Sequence, residues 1–301
     1  MYDRRAFLQL VGAAAVVRPP SAHATQLPQP PAGAIRKSTL INMLPRDRPY
    51  AERFAMAKQA GFEAIEMQTI AAQEEAAEIK EAATNTGLRI HSVMNMAHWR
   101  QPISSADPAV VNESVKGMET SLRNAALWGA DAVLLVPAVV DDKTSYKDAY
   151  TRSQQVIRER LLPLAGNLKV VIAVEEVWNK FLLSPIEFAR YVDEFQSPWV
   201  RAYFDVGNVV LFAFPQDWIR TLGKRIMKIH LKDFNFDGRN GRFTWKNLGE
   251  GDINWPEVRK ALAEIDYRGY VTTELDRGDA AYLKDVSNRV DRFLAGEKPV
   301  G

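Results

Sequence analysis

A single closed (β/α)8 barrel is the fold that this sequence predicts, and three observations predict it. From Ser38 onward, eight short β-rich apolar runs alternate with eight polar-faced helical stretches, which is the count of a closed α/β barrel. Gly61, Gly87, Gly129 and Gly269 each stand between a helical stretch and the next apolar run, where a left-handed cap is wanted. No shift in composition divides the chain, and its 301 residues suit one large barrel with ample core. A doubly wound open sheet would use fewer units and would place a glycine-rich phosphate turn after its first strand. Here the first run passes instead into Asn42-Met43-Leu44-Pro45.

Taken in order, the expected strands cover residues 39–43, 62–67, 88–94, 132–136, 169–174, 200–204, 226–231 and 270–273. Helices are expected near 50–60, 71–86, 108–128, 146–165, 185–195, 215–223, 256–266 and 279–294. Two helix starts are well signed. Ser184-Pro185-Ile186-Glu187 offers an N-cap serine, a proline at the first turn and a glutamate three residues on, and Asp107-Pro108 is similar. The barrel is bounded at 38–295, with 296–301 as a tail. Residues 233–254 form the single long connection, and a loop of that length over a barrel mouth is expected to be functional.

Residues 1–24 read as an address label. Asp3-Arg4-Arg5-Ala6-Phe7-Leu8-Gln9 is similar to a twin-arginine export signal, followed by an apolar stretch to Val17 and the cleavage pattern Ala22-His23-Ala24. About 11 apolar residues are too few for the roughly 20 of a spanning helix, so no stable membrane anchor is expected once the label is removed. Residues 25–37, rich in proline, read as a leader. The expected destination is the periplasm, by the twin-arginine route.

Composition closes several other routes. The chain has no cysteine, which removes disulfides, thiolate metal sites and a cysteine nucleophile. Its net charge of +2 is carried by Arg4, Arg5 and Arg18 against Asp3, so the remainder is neutral and no nucleic-acid partner is expected. Self-association into a homo-oligomer stays open.

In such barrels the reactive groups stand at the C-terminal ends of the strands. Strand five ends Ala173-Val174-Glu175-Glu176, strand six Tyr203-Phe204-Asp205, strand seven Ile229-His230-Leu231-Lys232-Asp233 and strand eight Thr272-Thr273-Glu274. Four successive strands thus each deliver a metal-capable side chain to one rim. A lone acid after a strand is usually a cap, and a lone histidine is usually core; the coincidence at four adjacent ends is what points to a site. Two glutamates, an aspartate and a histidine suit one divalent cation, with Mn2+ first and Mg2+, Co2+ or Zn2+ also suitable. Period-two alternation carries Val171, Ala173 and Glu175 to one face. Glu176 is the alternative ligand. Further candidates for binding substrate are Glu66 at the end of strand two, His91 in strand three, His98-Trp99 after it, Trp178 and Lys232. Against these stand plainer readings: the tryptophans as core, and Lys232 as a partner for Asp233.

The stretch from Ala173 to Pro185 resembles the strand-five motif of the xylose isomerase-like TIM-barrel superfamily of sugar isomerases and epimerases. Tyr203-Phe204-Asp205-Val206-Gly207-Asn208 resembles its strand-six motif, and Lys228-Ile229-His230-Leu231-Lys232-Asp233 its strand-seven motif. Leu248-Gly249-Glu250-Gly251-Asp252-Ile253-Asn254-Trp255 is similar to its glycine-aspartate-tryptophan loop, and Thr273-Glu274 to its final ligand. The likeness covers residues 38–295. It implies a divalent metal held by Glu175, Asp205, His230 and Glu274, with Glu175 and Glu274 as an acid/base pair acting through an enediolate on a carbohydrate. It also implies a sugar-hydroxyl contact from Asn208. A branch reading Glu-x-x-Asn would register on Glu176 with Asn179 instead.

The expected activity is therefore isomerisation or epimerisation of a sugar or sugar derivative. The alternative is a lyase or hydrolase of keto-sugars or keto-glycosides that begins with the same proton abstraction, and a non-catalytic sugar-binding barrel comes after it. An endonuclease IV-like activity, which shares the fold, is set aside. Only His91, His98 and His230 remain for a multinuclear site once His23 is removed.

Overall fold

Eight parallel strands close on themselves in the computed structural model, which describes residues 35–300. In chain order the strands are β1 (Arg36–Leu40), β2 (Ala64–Gln68), β3 (Arg89–Met94), β4 (Ala132–Leu135), β5 (Val171–Glu175), β6 (Val200–Asp205), β7 (Ile226–Leu231), β8 (Asp233–Asp237), β9 (Arg242–Lys246) and β10 (Tyr270–Thr273). The barrel runs β1-β10-β7-β6-β5-β4-β3-β2, and β8 and β9 form a separate antiparallel pair. The outer layer is α1 (Tyr50–Ala60), α2 (Gln73–Thr86), α3 (Pro108–Trp128), α4 (Tyr146–Val156), α5 (Leu162–Leu168), α6 (Pro185–Asp193), α7 (Pro215–Leu222), α8 (Trp255–Glu264) and α9 (Ala280–Leu294). None of these helices is long and apolar enough to cross a membrane.

The two cores show why the strands read as near-continuous apolar runs. Ile172, Val174, Phe204 and Ile229 face outward into the large core beneath the helices, while Leu134, Val171, Ala173 and Tyr203 fill the barrel interior. Each of the larger aliphatic and aromatic side chains contributes roughly 1.5–3 kcal/mol of burial. The signed caps form as their chemistry dictates: Ser184 Oγ accepts from Glu187 N at 3.1 Å, and Asp107 Oδ1 from Ala109 N at 2.8 Å.

Three elements differ from the sequence expectation. The first strand lies at Arg36–Leu40, three residues before 39–43, because Ile41–Met43 tightens into a 3-10 turn. Its start therefore falls inside the segment read as leader. There Arg36 N donates to Gly269 O, and Lys37 Nζ pairs with Asp291 of α9 at 2.6 Å. The expected helix 146–165 is α4 and α5 joined by one π-turn, Ile157–Leu161, just before Pro163, whose ring cannot continue an ordinary hydrogen-bond ladder. The long connection after β7 carries the β8–β9 hairpin. The export signal and residues 25–34 lie outside the described residues.

Candidate functional site

The alternation along β5 decides where its terminal glutamates go. Val171 and Ala173 point into the barrel, so Glu175 follows them onto the interior face at the rim. One ligand atom from each of Glu175, Asp205, His230 and Glu274 lies within 4.8 Å of the others. The imidazole sits at the centre: Nδ1 of His230 is 3.1 Å from Glu175 Oε1, 2.9 Å from Glu274 Oε2 and 3.8 Å from Asp205 Oδ2.

Each member is aimed by its surroundings. Asp205 spends Oδ1 on the backbone N–H groups of Gly207 and Asn208, at 2.7 and 2.9 Å, which leaves Oδ2 facing the cluster. Gly207 is required in that turn, because a β-carbon there would sit 2.7 Å from Cβ of Lys232. Glu66, expected among the substrate-binding residues, is placed beneath the site in full burial. Its Oε2 lies 2.6 Å from Nε2 of His230 and accepts a hydrogen bond from the Tyr203 hydroxyl at 3.1 Å. That contact holds the ring so that Nδ1 faces the carboxylates, as carboxylate partners do for ligating histidines.

The residues fit a divalent cation. Three carboxylates and one imidazole converge with a large surplus of negative charge, and Asp205 Oδ2 and Glu274 Oε2 are buried without a hydrogen bond of acceptable geometry. Hard oxygen donors and one nitrogen suit Mn2+ or Mg2+. Lys232 supplies a balancing charge, its Nζ 3.1 Å from both Asp205 Oδ2 and Glu274 Oε2. It does not pair with Asp233.

The electrostatics of the two glutamates differ sharply. Burial pushes the Glu175 carboxyl up to about 7, against the opposing pull of His230 and Lys232. Burial acts on Glu274 in the same sense, but Lys232 and His230 outweigh it and hold that group below the usual carboxylate range. Desolvation would lower His230, and Glu66, Glu274 and Glu175 together raise it well above an ordinary imidazole. Glu176 is buried with neither oxygen hydrogen-bonded, and burial followed by repulsion from Glu175 and Asp205 pushes it well up. Its side chain is not part of the four-residue group.

The remaining expected residues fall into two sets. Asn208 lies at the rim, with Nδ2 donating to Glu176 O at 3.0 Å. Trp178 stands beside it, its Nε1 donating to Asn208 O at 2.9 Å. His91 lies lower in the barrel, stacked on Tyr270 with Nε2 3.0 Å from Thr272 Oγ1, and burial keeps it neutral. Asn179, proposed as the partner of Glu176 in the other register, donates to Ala138 O at 2.6 Å instead.

The motif at 248–255 is a clasp. Asp233 accepts from Gly249 N at 2.7 Å and from Trp255 Nε1 at 2.9 Å, tying the end of the hairpin to α8. A side chain at Gly251 would collide with Asp233. The hairpin supplies residues that the sequence reading did not single out. Trp245 stacks on Trp178 with ring centroids 5.2 Å apart and planes 16° apart, and Phe243 meets Trp178 edge-on at 4.9 Å. Strict alternation in Phe234-Asn235-Phe236 and Phe243-Thr244-Trp245, on either side of a glycine-containing turn, was the available signal.

Known proteins resemble this chain in sequence and in fold. Over 248 residues the chain is 29% identical to the putative L-ribulose-5-phosphate 3-epimerase SgbU of Escherichia coli (strain K12), covering 77% of this chain and 85% of that protein. The barrel superposes on a structure of L-ribulose 3-epimerase with a TM-score of 0.73 at 17% identity, covering 87% of this chain and 95% of the other. It superposes on D-psicose 3-epimerase, determined in the presence of D-fructose, with a TM-score of 0.71 at 18% identity, covering 87% and 100%. The family model described as xylose isomerase-like TIM barrel matches residues 54–291, most of the barrel and all four ligand positions, and the chain belongs to that family.

Proposed function

We propose that this protein is a divalent-metal-dependent ketose epimerase, an enzyme of the isomerase class, working on a sugar or sugar derivative. The observation that carries the reading is the convergence of Glu175, Asp205, His230 and Glu274 within 4.8 Å at one end of the barrel. The sequence relatives, named as ketose-phosphate 3-epimerases, support the same reaction type. A divalent ion bound there, Mn2+ foremost, would stabilise the negative charge that develops on oxygen when a proton leaves the carbon beside a carbonyl.

The protein's own groups then have distinct tasks. Glu175 ends β5 and Glu274 follows β10, with β6 and β7 between them in the barrel. They therefore reach a substrate carbon from two sides, one to remove its proton and the other to return a proton on the opposite face. Lys232 lies against Glu274 and Asp205, where it fixes the position of both carboxylates. Glu66 orients His230. Asn208 Oδ1, whose Nδ2 is already committed, is the group offered to a sugar hydroxyl.

Incubation of the Mn2+-loaded protein with a pool of ketoses in heavy water tests the reaction. Deuterium should enter at the carbon beside the carbonyl, together with formation of the epimer. Release of a leaving group without an epimer would replace this reading with the lyase reaction. Sugar binding that is indifferent to chelator and brings no exchange would leave only a binding barrel. Export through the twin-arginine route is proposed from Arg4-Arg5-Ala6-Phe7-Leu8. Replacing both arginines by lysine should hold the protein in the cytoplasm with its leader attached.

A further inference from the structure

One cavity touches the ligand group without being part of it. It measures about 490 Å³ and is lined by Lys232, Trp245, Lys246, Asn247, Glu274, Leu275, Asp276, Arg277 and Tyr282, so it shares Glu274 and Lys232 with the site above. That volume lies inside the ~300–1,000 Å³ range of small-molecule sites. The residues that set its chemistry are those that the centre of three carboxylates and one imidazole does not use.

Trp245 is the first of them. It is 44% exposed although two other aromatic rings, Trp178 and Phe234, pack against it, and its orientation is fixed rather than free. One ring, Trp178, lies parallel to it, itself anchored by the bond to Asn208 O and by edge contact with Phe234 at 5.4 Å. Nζ of Lys232 is 5.6 Å from the Trp245 centroid and 3.1 Å from Glu274, so a single lysine separates the indole from the reacting centre. An indole face held in place beforehand is a platform for the weakly positive C–H face of a sugar ring, because the ring quadrupole is negative over its face.

The polar groups around the platform choose among ligands. Lys246 and Arg277 enter no salt bridge among the described residues, and the Tyr282 hydroxyl makes no hydrogen bond among them. Asp276 and Glu274 line the same cavity. A phosphate would meet Lys246 and Arg277 together with the carboxylates of Asp276 and Glu274. A neutral polyol would instead find donors on Lys246, Arg277 and Tyr282 and an acceptor on Asp276, which is the mixed inventory that hydroxyl groups need.

We propose that this cavity is a second sugar subsite, in which a neutral pyranose ring stacks on Trp245 while the reacting ketose unit occupies the centre at Glu175, Asp205, His230 and Glu274. The substrate class is then a glycoside or oligosaccharide derivative rather than a free or phosphorylated pentulose. The placement beside a reacting centre rests on the epimerase reading. Ring binding on Trp245 does not.

Cellobiose, which has two neutral rings and no ketone, serves as the probe in calorimetric titration of the full chain. The wild type is expected to bind it, and Trp245→Ala to weaken that affinity about tenfold, with Trp245→Phe intermediate, the scale of one lost aromatic contact. Circular dichroism confirms that each variant is folded. Equal cellobiose affinity in wild type and Trp245→Ala, or no binding by a folded wild type, would overturn the subsite. So would tight binding of inorganic phosphate that is lost in a Lys246→Ala/Arg277→Ala variant but kept in Trp245→Ala. A separate Mn2+ titration keeps the two ideas apart. Cellobiose bound through Trp245 by a protein that takes up no Mn2+ sustains the subsite and defeats the metal reading, and uptake of Mn2+ by a protein that binds no cellobiose does the reverse.

Discussion

The two ends of the barrel both bury charge, and they do so in opposite ways. At the N-terminal end, Lys228 of β7 meets Asp131 at 2.5 Å, Arg89 approaches the same aspartate at 3.6 Å, and both cations lie over the Tyr270 ring. The one buried cation there, Lys228, is paired with one aspartate while Arg89 reaches solvent, and His91 above them is kept neutral by burial and by those same cations. At the C-terminal end, Glu66, Glu175, Glu176, Asp205 and Glu274 face one lysine and one histidine. Matched buried charge is a structural device that roughly breaks even against apolar packing. A surplus of buried carboxylates is costly unless a cation joins them. The difference marks which end is built for chemistry.

The largest effect that would sharpen this contrast comes from the proposed proton-transfer pair, Glu175 and Glu274. Glu175→Gln and Glu274→Gln keep size and one ligand oxygen but lose the base, so each should retain metal and lose roughly 10²-fold or more in turnover. In heavy water each variant should still exchange the proton on one substrate face, and the two should differ in which face. Exchange of both faces at wild-type rates in both variants would break the pairing.

A smaller loss is expected one step below the rim. Glu66→Gln leaves His230 in place but weakens the grip on its Nε2, and metal affinity should fall by about 10–100-fold as measured by competition with a chelator. Unaltered affinity would show that the ring is aimed by packing against Tyr203 alone. The smallest effect on catalysis should come from the opposite end. Lys228→Met leaves Asp131 only the more distant Arg89 and should cost at most about 3–5 kcal/mol in denaturant unfolding, with turnover per folded molecule unchanged. A fall in turnover at constant stability would mean that the two ends are coupled.

Much of this architecture is legible in the sequence because barrel strands are buried on both faces and the polar residues interrupting them stand out. Glu175, Asp205, His230 and Glu274 were visible as metal-capable side chains at the ends of apolar runs. Glu66 was visible too, but its task was not. A carboxylate at the end of β2 faces either substrate or a histidine across the barrel, and only closure of the sheet brings it to Nε2 of His230. The first strand lies three residues earlier than its apolar run predicts because Ile41 and Met43 are as apolar as strand residues while forming a 3-10 turn. The β8–β9 hairpin reads as loop because the glycine, asparagine and charged residues of 233–254 mask the short aromatic alternation on either side of its turn. The stacking of Trp245 on Trp178 joins residues 67 positions apart and depends on the hairpin's fold over the mouth.

The most direct test of the central claim is the binding of Mn2+ to metal-stripped, folded protein, followed by calorimetry together with thermal unfolding. One ion per chain, a raised melting temperature through preferential binding to the native state, and loss of both in Asp205→Ala but not in Lys228→Met is the predicted result. A stripped protein that stays folded, takes up no divalent ion and melts at the same temperature with or without Mn2+ would contradict it.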